Sequence, residues 1–493
     1  MLFRSSSSTK RRAVLLIGGF AFAASLSCFG APNAAAKDTT SSHGKAHSTA
    51  ARWAKKPVRT SMLTSARTVG IEMYSKTALD SFFEGLREAE NKDKDGRVLI
   101  AQFGDSHTAG DNFTARLRKV LQDRFGDAGR GFLLAGKPMH HYYQQGARYG
   151  TRGRWICERS GRRKASEPFG YAGVRVRSYR KTARVWVGTC ANCKQHNKVS
   201  RFEVFYGRSP INGRIIYRVD HGRWHGFNTR RKAKDKHHNG YEVIKVKDGA
   251  HTLTLKPAGN GPVDLFGVVL ERDNPGVVVD SLGRVGLMVS HLYHMDWDVI
   301  GEHLARRDPR LVVLQYGTNE TDNDELKISD VERMYIELVG RIRKAVPKAS
   351  ILILGPPDNA HRELGRACDR HRRRSRRRRR LHRKHTVAPD KRLAPGAPVV
   401  EGCQWRTPKV LPEIIAAQRR AARKTGVAFF DTFSAMGGAD MMDLFYQHHP
   451  RLAYGDHTHF TTRGAHLWAD LFLNQLLQSY DKWRRANDKR ASK

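Results

Sequence analysis

The feature that most constrains the fold is a set of short, continuous apolar runs separated by helical patterns. The first run ends at Gly104, and others lie at 277–282, 311–320, 351–358 and 427–433. Continuous apolar strands that alternate with helices are typical of a parallel sheet covered by helices on both faces. The sequence therefore predicts an α/β fold whose polar strand ends meet at one edge of the sheet, where open α/β sheets bind ligands.

Apolar residues at helical spacing predict the helices that cover this sheet. The predicted helical segments are 78–90, 113–125, 288–304, 331–346, 407–424 and 465–480.

Between the first two apolar runs the pattern changes to short alternating stretches separated by Gly, Asn, Asp and Pro. Such stretches are typical of antiparallel strands, and they predict an all-β sandwich inserted at 165–272. Inserted β-sandwiches often bind carbohydrate. A structural spacer or lid remains the alternative, because a fold alone does not establish a function.

The N-terminal residues have the three parts of a secretory signal peptide. Basic residues precede an apolar stretch from Ala13 to about Phe29, and an alanine-rich end follows, which predicts a signal peptide at 1–36. A buried or membrane-anchoring helix is the alternative. Residues 37–66 have the composition of a flexible linker. We therefore expect an exported, periplasmic or envelope-associated protein with no transmembrane span after signal cleavage.

The remaining boundaries divide the α/β part into three pieces, at 67–164, 273–360 and 406–482. An Arg-rich insertion at 361–405 separates the last two pieces, and a basic tail follows at 483–493. Such a split is expected where insertions interrupt one sheet between its strands.

The net charge is the main anomaly of composition. Lys and Arg number 89 against 47 Asp and Glu, so the formal net charge is +42. A protein of this charge is drawn to anionic surfaces, such as cell-envelope polymers. The stretch 371–385 is mostly arginine and is expected to remain solvated, as a linker or as a contact for envelope polyanions. It lacks interleaved aromatic residues for base stacking, so we do not expect a nucleic-acid partner.

Five cysteines remain beyond the predicted signal peptide. Cys368 and Cys403 flank the Arg-rich stretch, and a disulfide between them would close its base, as export permits. Cys190 and Cys193 are interpreted as a structural disulfide pair, with a redox pair or half of a zinc site as alternatives. The odd number leaves Cys157 without an assigned role.

Short polar motifs follow several of the predicted strands. Gly104-Asp105-Ser106-His107 follows the first strand, and Gly317-Thr318-Asn319 follows the third. Asp456-His457-Thr458-His459 precedes the last predicted helix. With a glycine after the second strand, these four blocks resemble those of the SGNH (GDSL-like) hydrolase superfamily. The resemblance spans roughly 96–160, 273–360 and 406–480, and it implies a flavodoxin-like parallel sheet flanked by helices.

The resemblance implies a serine ester hydrolase. A serine hydroxyl is a poor nucleophile until a base takes its proton. Ser106 is the candidate nucleophile, His459 its base, and Asp456 the carboxylate that orients the histidine. His457 is the alternative base, but it fits the family's DxxH spacing less well. A GxSxG elbow is absent from the sequence, so an ordinary α/β-hydrolase is not supported.

Attack on an ester builds negative charge on the carbonyl oxygen, which needs preorganised hydrogen-bond donors. The resemblance assigns these donors to the backbone N–H groups of Ser106 and Gly286 and to the side-chain amide of Asn319. Gly283 is the alternative glycine. No metal and no organic cofactor are expected.

More closely, the chain resembles periplasmic SGNH enzymes that carry an inserted carbohydrate-binding-like module, such as peptidoglycan O-acetylesterases. This implies an esterase that removes O-acetyl groups from peptidoglycan or another envelope glycan. Alternatives on the same residues are an O-acetyltransferase, a lipase or a thioesterase. An inactive protein that binds polyanions or the cell wall is a further alternative. The sequence departs from these enzymes around Arg284 and in its Arg-rich insertion.

Overall fold

The computed structural model describes residues 69–491, except for 162–167, 191, 194, 233, 236–237 and 363–403. The described strands, in chain order, are β1 (Glu72–Met73), β2 (Arg97–Gly104), β3 (Gly129–Leu133), β4 (Ala147–Arg152), β5 (Ile156–Arg159), β6 (Val174–Ser178), β7 (Arg184–Thr189), β8 (Val199–Gly207), β9 (Arg214–Val219), β10 (His225–Asn228), β11 (Asn239–Gly249), β12 (Thr252–Pro257), β13 (Val263–Glu271), β14 (Gly276–Gly283), β15 (Leu311–Gln315), β16 (Ser350–Leu354), β17 (His361–Arg362), β18 (Trp405–Arg406) and β19 (Ala428–Phe430).

The described helices are α1 (Asp80–Glu90), α2 (Ser106–Ala109), α3 (Asn112–Phe125), α4 (Val289–Tyr293), α5 (Trp297–Arg307), α6 (Ile328–Ala345), α7 (Val410–Thr425), α8 (Thr432–Ala435), α9 (Met441–Gln447) and α10 (Thr462–Ala491). A 3₁₀ turn spans Asn319–Asp322.

A six-stranded sheet forms the centre of the α/β part, in the order β1-β19-β16-β15-β2-β14. Its strands are parallel except β1, which pairs antiparallel with β19. Strands β14, β15 and β16 are buried along almost their whole length. Their continuous apolar runs therefore follow from helices covering both faces, and the predicted α/β fold is confirmed.

The register of this sheet aligns the strand ends that carry the polar motifs. Gly104 at the end of β2 is level with Gly283 of β14 on one side and with Gln315 of β15 on the other. The loops after these three strands therefore leave the sheet at the same edge. This alignment places the predicted functional loops side by side.

Two antiparallel sheets are built from chain that lies between β2 and β14. One has the order β10-β9-β12-β7-β4, and the other has β11-β8-β13-β6-β5, with β3 added beside β13. Apolar residues of both sheets belong to one buried cluster that also includes residues of the central sheet. These sheets include β3, β4 and β5, which precede the predicted boundary at residue 165.

Two predicted helical segments differ from the structure. The segment 288–304 is broken into α4 and α5, because Asp296 caps a new helix by accepting hydrogen bonds from Asp298 N and Val299 N. The last helix, α10, continues to Ala491, past the predicted boundary at residue 482. Trp483 of α10 donates a hydrogen bond to Asp80 of α1, which holds this extension against the α/β part.

The cysteines of the described residues lie in the two antiparallel sheets and their loops. Cys190 and Cys193 form a disulfide after β7, and Cys157 is buried in β5. The candidate pair Cys368 and Cys403, the signal peptide and the Arg-rich stretch 371–385 lie outside the described residues. Within the described ranges, no helix is long and apolar enough to cross a membrane.

Candidate active site

The candidate nucleophile lies on a tight turn between β2 and α2. Gly104 permits this turn, because a Cβ atom there would lie only 2.2 Å from Thr108 Oγ1. Asp105 is buried and caps α2 by accepting a hydrogen bond from His107 N, 2.9 Å away. Ser106 is therefore the first helical residue, and its backbone N–H has no acceptor within the helix.

Ser106, His459 and Asp456 form a continuous hydrogen-bonded chain. His459 Nε2 lies 2.8 Å from Ser106 Oγ, although 353 residues separate them. His459 Nδ1 lies 2.8 Å from Asp456 Oδ2. A histidine between a serine hydroxyl and a carboxylate at these distances is in position to take the proton of the serine.

Asp456 is held in its charged form by the loop that carries it. Its Oδ1 accepts hydrogen bonds from the backbone N–H groups of Thr458 and His459. Partial burial alone would raise the pKa of Asp456, but the hydrogen bonds from His459 and Thr458 outweigh this and lower the pKa well below its ordinary value. An ionised Asp456 favours the proton on His459 Nδ1, which leaves Nε2 free to act as a base.

The asparagine of the third motif is fixed by the loop after β14. Asn319 Nδ2 donates a hydrogen bond to Leu287 O at 2.9 Å. This contact uses one of the two amide hydrogens and leaves the second as a donor. It also ties the loops after β14 and β15 together, so that Asn319 is oriented by the chain beside Gly286.

The two glycines of the loop after β14 have different environments. Gly283 ends the strand against α2, where a Cβ atom would lie 2.2 Å from Ala109 N. Gly286 is exposed and has φ +77°, and a Cβ atom added there would have no other atom within 4 Å. A positive φ favours glycine, so the turn at Gly286 also depends on this residue type. Gly283 therefore packs the sheet edge, while Gly286 faces solvent beside the Asn319 contact.

Comparisons with known proteins concern the family and the fold. The model of the GDSL-like lipase/acylhydrolase family matches residues 249–467. A solved peptidoglycan O-acetylesterase has a TM-score of 0.64 and 24% identity, over 84% of this chain and 99% of its own. At this identity the likeness establishes the fold. The chain thus matches the GDSL-like acylhydrolase family over residues 249–467 and shares its fold with a solved peptidoglycan O-acetylesterase. The resemblance predicted from the motifs is confirmed.

Other solved structures are less similar to this chain. A family two carbohydrate esterase from Cellvibrio japonicus has 11% identity and a TM-score of 0.23, over 68% of this chain and 99% of its own. A putative GDSL-like lipase from Parabacteroides merdae has 14% identity and a TM-score of 0.26, over 41% of this chain and 72% of its own. Neither likeness carries an argument about function. No curated protein matches the chain.

His457, the alternative base, packs against aromatic rings instead of Ser106. Its ring is buried and stacks on Trp405, with 3.9 Å between ring centroids and an interplanar angle of 5°. Tyr446 contacts it as well, with a centroid distance of 4.5 Å. His457 therefore packs the loop against β18, and His459 is the histidine that reaches Ser106.

His107 connects two of the motifs through contacts that the sequence did not reveal. Its ring is buried between Asp105 Oδ1, 3.2 Å from Nδ1, and Thr458 O, 3.0 Å from Nε2. Burial alone would lower the pKa of His107, but the charge of Asp105 and these two hydrogen bonds outweigh it and raise the pKa. The ring thus bridges the loop of Ser106 to the loop of His459.

Replacing His107 with alanine is expected to lower kcat by about tenfold or more, because Thr458 loses its anchor and His459 moves relative to Ser106. His107→Gln, whose amide can still donate to Thr458 O, should recover part of kcat. Steady-state kinetics on 4-nitrophenyl acetate checks this. Equal kcat values for alanine and glutamine variants would show that the Thr458 bond has no positioning role.

Glu320 is a second residue missed by the motif analysis, although it directly follows Asn319. It is 2% exposed, and its Oε1 accepts a hydrogen bond from Val289 N at 2.7 Å. Its Oε2 is buried without a hydrogen-bond partner among the described residues. Burial raises the pKa of Glu320 to about 7. Glu320 thus couples α4 to the loop of Asn319 through a carboxyl group that is costly to ionise.

Glu320 should make the stability of the protein fall as pH rises. The unfolded state loses this proton near the ordinary pKa of 4.5, whereas the folded state keeps it until about 7. The free energy of unfolding should therefore decrease by up to about 3 kcal/mol between about pH 5 and pH 8 from this group alone. Glu320→Gln should remove that part of the slope in urea unfolding. Identical pH profiles for both proteins would contradict the assignment.

Within the described ranges, no cluster of three or more His, Cys, Asp or Glu side chains could hold a metal ion. We still predict that no cofactor takes part, because the serine, histidine and carboxylate groups can hydrolyse an ester without one.

Proposed function

We propose that this hydrolase is an exported serine esterase that removes O-acetyl groups from peptidoglycan. The observation that carries the proposal is the chain of contacts from Ser106 Oγ to His459 Nε2 and from His459 Nδ1 to Asp456. The fold shared with a peptidoglycan O-acetylesterase supports the choice of substrate. The predicted signal peptide supports export, because peptidoglycan lies outside the cytoplasm.

In the proposed first step, Ser106 Oγ attacks the acetyl carbonyl carbon while its proton moves to His459 Nε2. The negative charge that develops on the carbonyl oxygen is stabilised by the N–H groups of Ser106 and Gly286 and by the free amide hydrogen of Asn319. His459 then gives its proton to the sugar oxygen as the carbon–oxygen bond breaks. This leaves an acetyl group on Ser106 and releases the sugar hydroxyl.

In the second step, water takes the place of the sugar oxygen. His459 removes one proton from the water as its oxygen attacks the acetyl-serine carbonyl, and returns that proton to Ser106 Oγ as the bond from this oxygen to the carbonyl carbon breaks and acetic acid is released. Acetic acid then loses its proton to solvent as acetate. Asp456 stabilises the histidine while it is positively charged in both steps. No metal or redox partner is needed to balance either step.

The openness of the site fits a polymeric substrate. The side chain of His459 is 40% exposed and that of Asp456 is 52% exposed. A long glycan can therefore present an acetylated hydroxyl to Ser106 without being enclosed. We also propose the division predicted from the sequence into α/β pieces, inserted β-sandwich, Arg-rich insertion and basic tail, with the inserted part beginning at β3 and the tail continuing α10.

The test is acetate release from O-acetylated peptidoglycan sacculi, with mass spectrometry of the products and Ser106→Ala as the blank. We expect acetate from the wild type and none above background from the variant. Comparing 4-nitrophenyl acetate with longer acyl esters separates this from a lipase or thioesterase. Acetyl transfer to a chito-oligosaccharide in place of acetate release would instead identify a transferase. Wall binding without acetate release would overturn the proposed activity.

A further inference from the structure

The turn that carries Gly286 has little packing of its own. Val285 and Gly286 are both exposed, and a Cβ atom at Gly286 would meet no other atom within 4 Å. Leu287 N donates a hydrogen bond to Arg284 O, so residues 284–287 form a four-residue turn with Gly286 at its third position. The direction of the Gly286 N–H group therefore depends on how the two ends of this turn are held.

The backbone at the two ends of the turn contacts two of the predicted functional loops. Arg284 N donates a hydrogen bond to the carbonyl oxygen of Gly104 at 3.2 Å. Gly104 is the last residue of β2, two residues before Ser106. At the other end, Leu287 O accepts the hydrogen bond from Asn319. A shift of Arg284 would therefore move the turn relative to both loops.

The side chain of Arg284 leaves the turn and reaches the antiparallel part of the chain. Its Nη1 donates hydrogen bonds to Ser160 Oγ, at 3.0 Å, and to Gly173 O, and its Nη2 donates to Ser160 O at 2.7 Å. Ser160 follows β5 and Gly173 precedes β6, and Ser160 N is itself bonded to Gly173 O at 3.0 Å. One guanidinium group thus attaches the turn to two segments that are already joined.

The environment of this guanidinium group suits arginine and no neutral side chain. In the part of the chain that the structure describes, its three acceptors are uncharged oxygens, and it forms no ion pair with a carboxylate. Burial lowers the pKa of Arg284 to about 10, so the group stays charged at neutral pH. Gly173 leaves room for it, because a Cβ atom there would lie 3.2 Å from Nη1. Only a planar fork of donors reaches three acceptors at once.

We propose that Arg284 is a positioning residue, which holds the Gly286 turn in the orientation for oxyanion stabilisation through its contacts with Ser160 and Gly173. The role of the Gly286 N–H group as an oxyanion donor rests on the proposed function, whereas the contacts of Arg284 do not. In this arrangement the antiparallel part of the chain completes the active site by fixing one of its turns. The negative charge develops only in the transition state, so a displaced donor lowers kcat and leaves KM nearly unchanged.

The experiment compares Arg284→Met with the control Arg175→Met in the full chain, with 4-nitrophenyl acetate as substrate. Arg175 is 5% exposed, against 6% for Arg284, and lies in β6, two residues after Gly173. Its guanidinium group binds Glu158. The control therefore removes an equally buried arginine beside the same strand and leaves the contacts of Arg284 in place. Both kcat and KM are measured at a temperature at which thermal unfolding shows all proteins to be folded.

We expect Arg284→Met to lower kcat about tenfold or more with KM within about twofold of the wild type, and Arg175→Met to keep kcat within about twofold. The apparent pKa in the pH profile of kcat/KM should be the same in all three proteins, because His459 and Asp456 keep their contact. Equal losses of kcat in the two variants would overturn the proposal, since only general packing would then matter. A shifted pH profile in Arg284→Met would also overturn it, since Arg284 would then act on the base.

Arg284→Lys keeps the charge but replaces the fork with a single ammonium group, and it serves as the second variant if Arg284→Met does not fold. Its kcat should lie about threefold or more below that of the wild type. A wild-type kcat in this variant would refute the positioning role. Failure of the esterase is seen separately, because the wild type itself would then not turn over 4-nitrophenyl acetate, and both proposals would fall. Turnover by the wild type with no loss in the Arg284 variants would overturn this inference alone.

Discussion

Replacing Ser106 with alanine is expected to lower kcat for 4-nitrophenyl acetate by roughly 10³-fold or more, with little change in thermal stability. The reason is that the variant loses the atom that forms the acyl intermediate. The Ser106 hydroxyl is bonded to His459 Nε2, which is itself part-exposed, so its loss leaves no buried group without a partner. Steady-state kinetics and thermal unfolding measure both effects.

The control is Ser329→Ala, which removes an exposed hydroxyl from α6. This variant should keep the full kcat. Labelling by a fluorophosphonate probe should disappear in Ser106→Ala and remain in Ser329→Ala. If Ser106→Ala kept turnover and labelling, another residue would be the nucleophile, and the proposed roles of His459 and Asp456 would fail with it.

Replacing Arg307 with methionine is expected to destabilise the protein by about 3–5 kcal/mol, because two buried carboxylates lose a charged partner. Arg307 is 2% exposed and binds both oxygens of Asp280, with its Nε 2.8 Å from Oδ2 and its Nη2 3.0 Å from Oδ1. Its Nη1 lies 2.7 Å from Glu271 Oε1. Urea unfolding of the variant and the wild type measures the loss.

The location of this network explains the size of the effect. Asp280 lies in β14 of the central sheet, and its Oδ1 also accepts a hydrogen bond from Phe132 N of β3. Glu271 lies at the end of β13. Arg307 of α5 therefore joins the central sheet to one of the antiparallel sheets at a buried point. Replacing Arg307 should therefore weaken the packing of both sheets.

Arg333→Met is the matched control for Arg307. Arg333 lies on α6 and also has two acidic partners, Asp330 and Glu337, but its side chain is 51% exposed. Water screens such pairs, so this variant should lose at most about 1 kcal/mol. Similar losses in the two variants would show that burial does not control the strength of the Arg307 network.

Local patterns were sufficient to predict the α/β fold. The runs that became β14, β15 and β16 were visible because strands buried on both faces are apolar along their whole length. The motifs at Ser106, Asn319 and His459 were recognisable because each needs a particular residue type beside a strand or helix end. The break between α4 and α5 was missed, since the capping contacts of Asp296 compete with a helical pattern that continues through it.

The tertiary structure decided which groups face each other and which are shielded from water. The burial of Glu320, the contact of His107 with Thr458, and the contacts of Arg284 with Ser160 join residues whose local sequence carries no corresponding signal. The sequence by itself determined the strands, helices and reactive side-chain types. Only folding determined pKa values, unpaired charges and distances between side chains, because these depend on neighbours outside the local sequence, such as Val289 for Glu320 and Thr458 for His107.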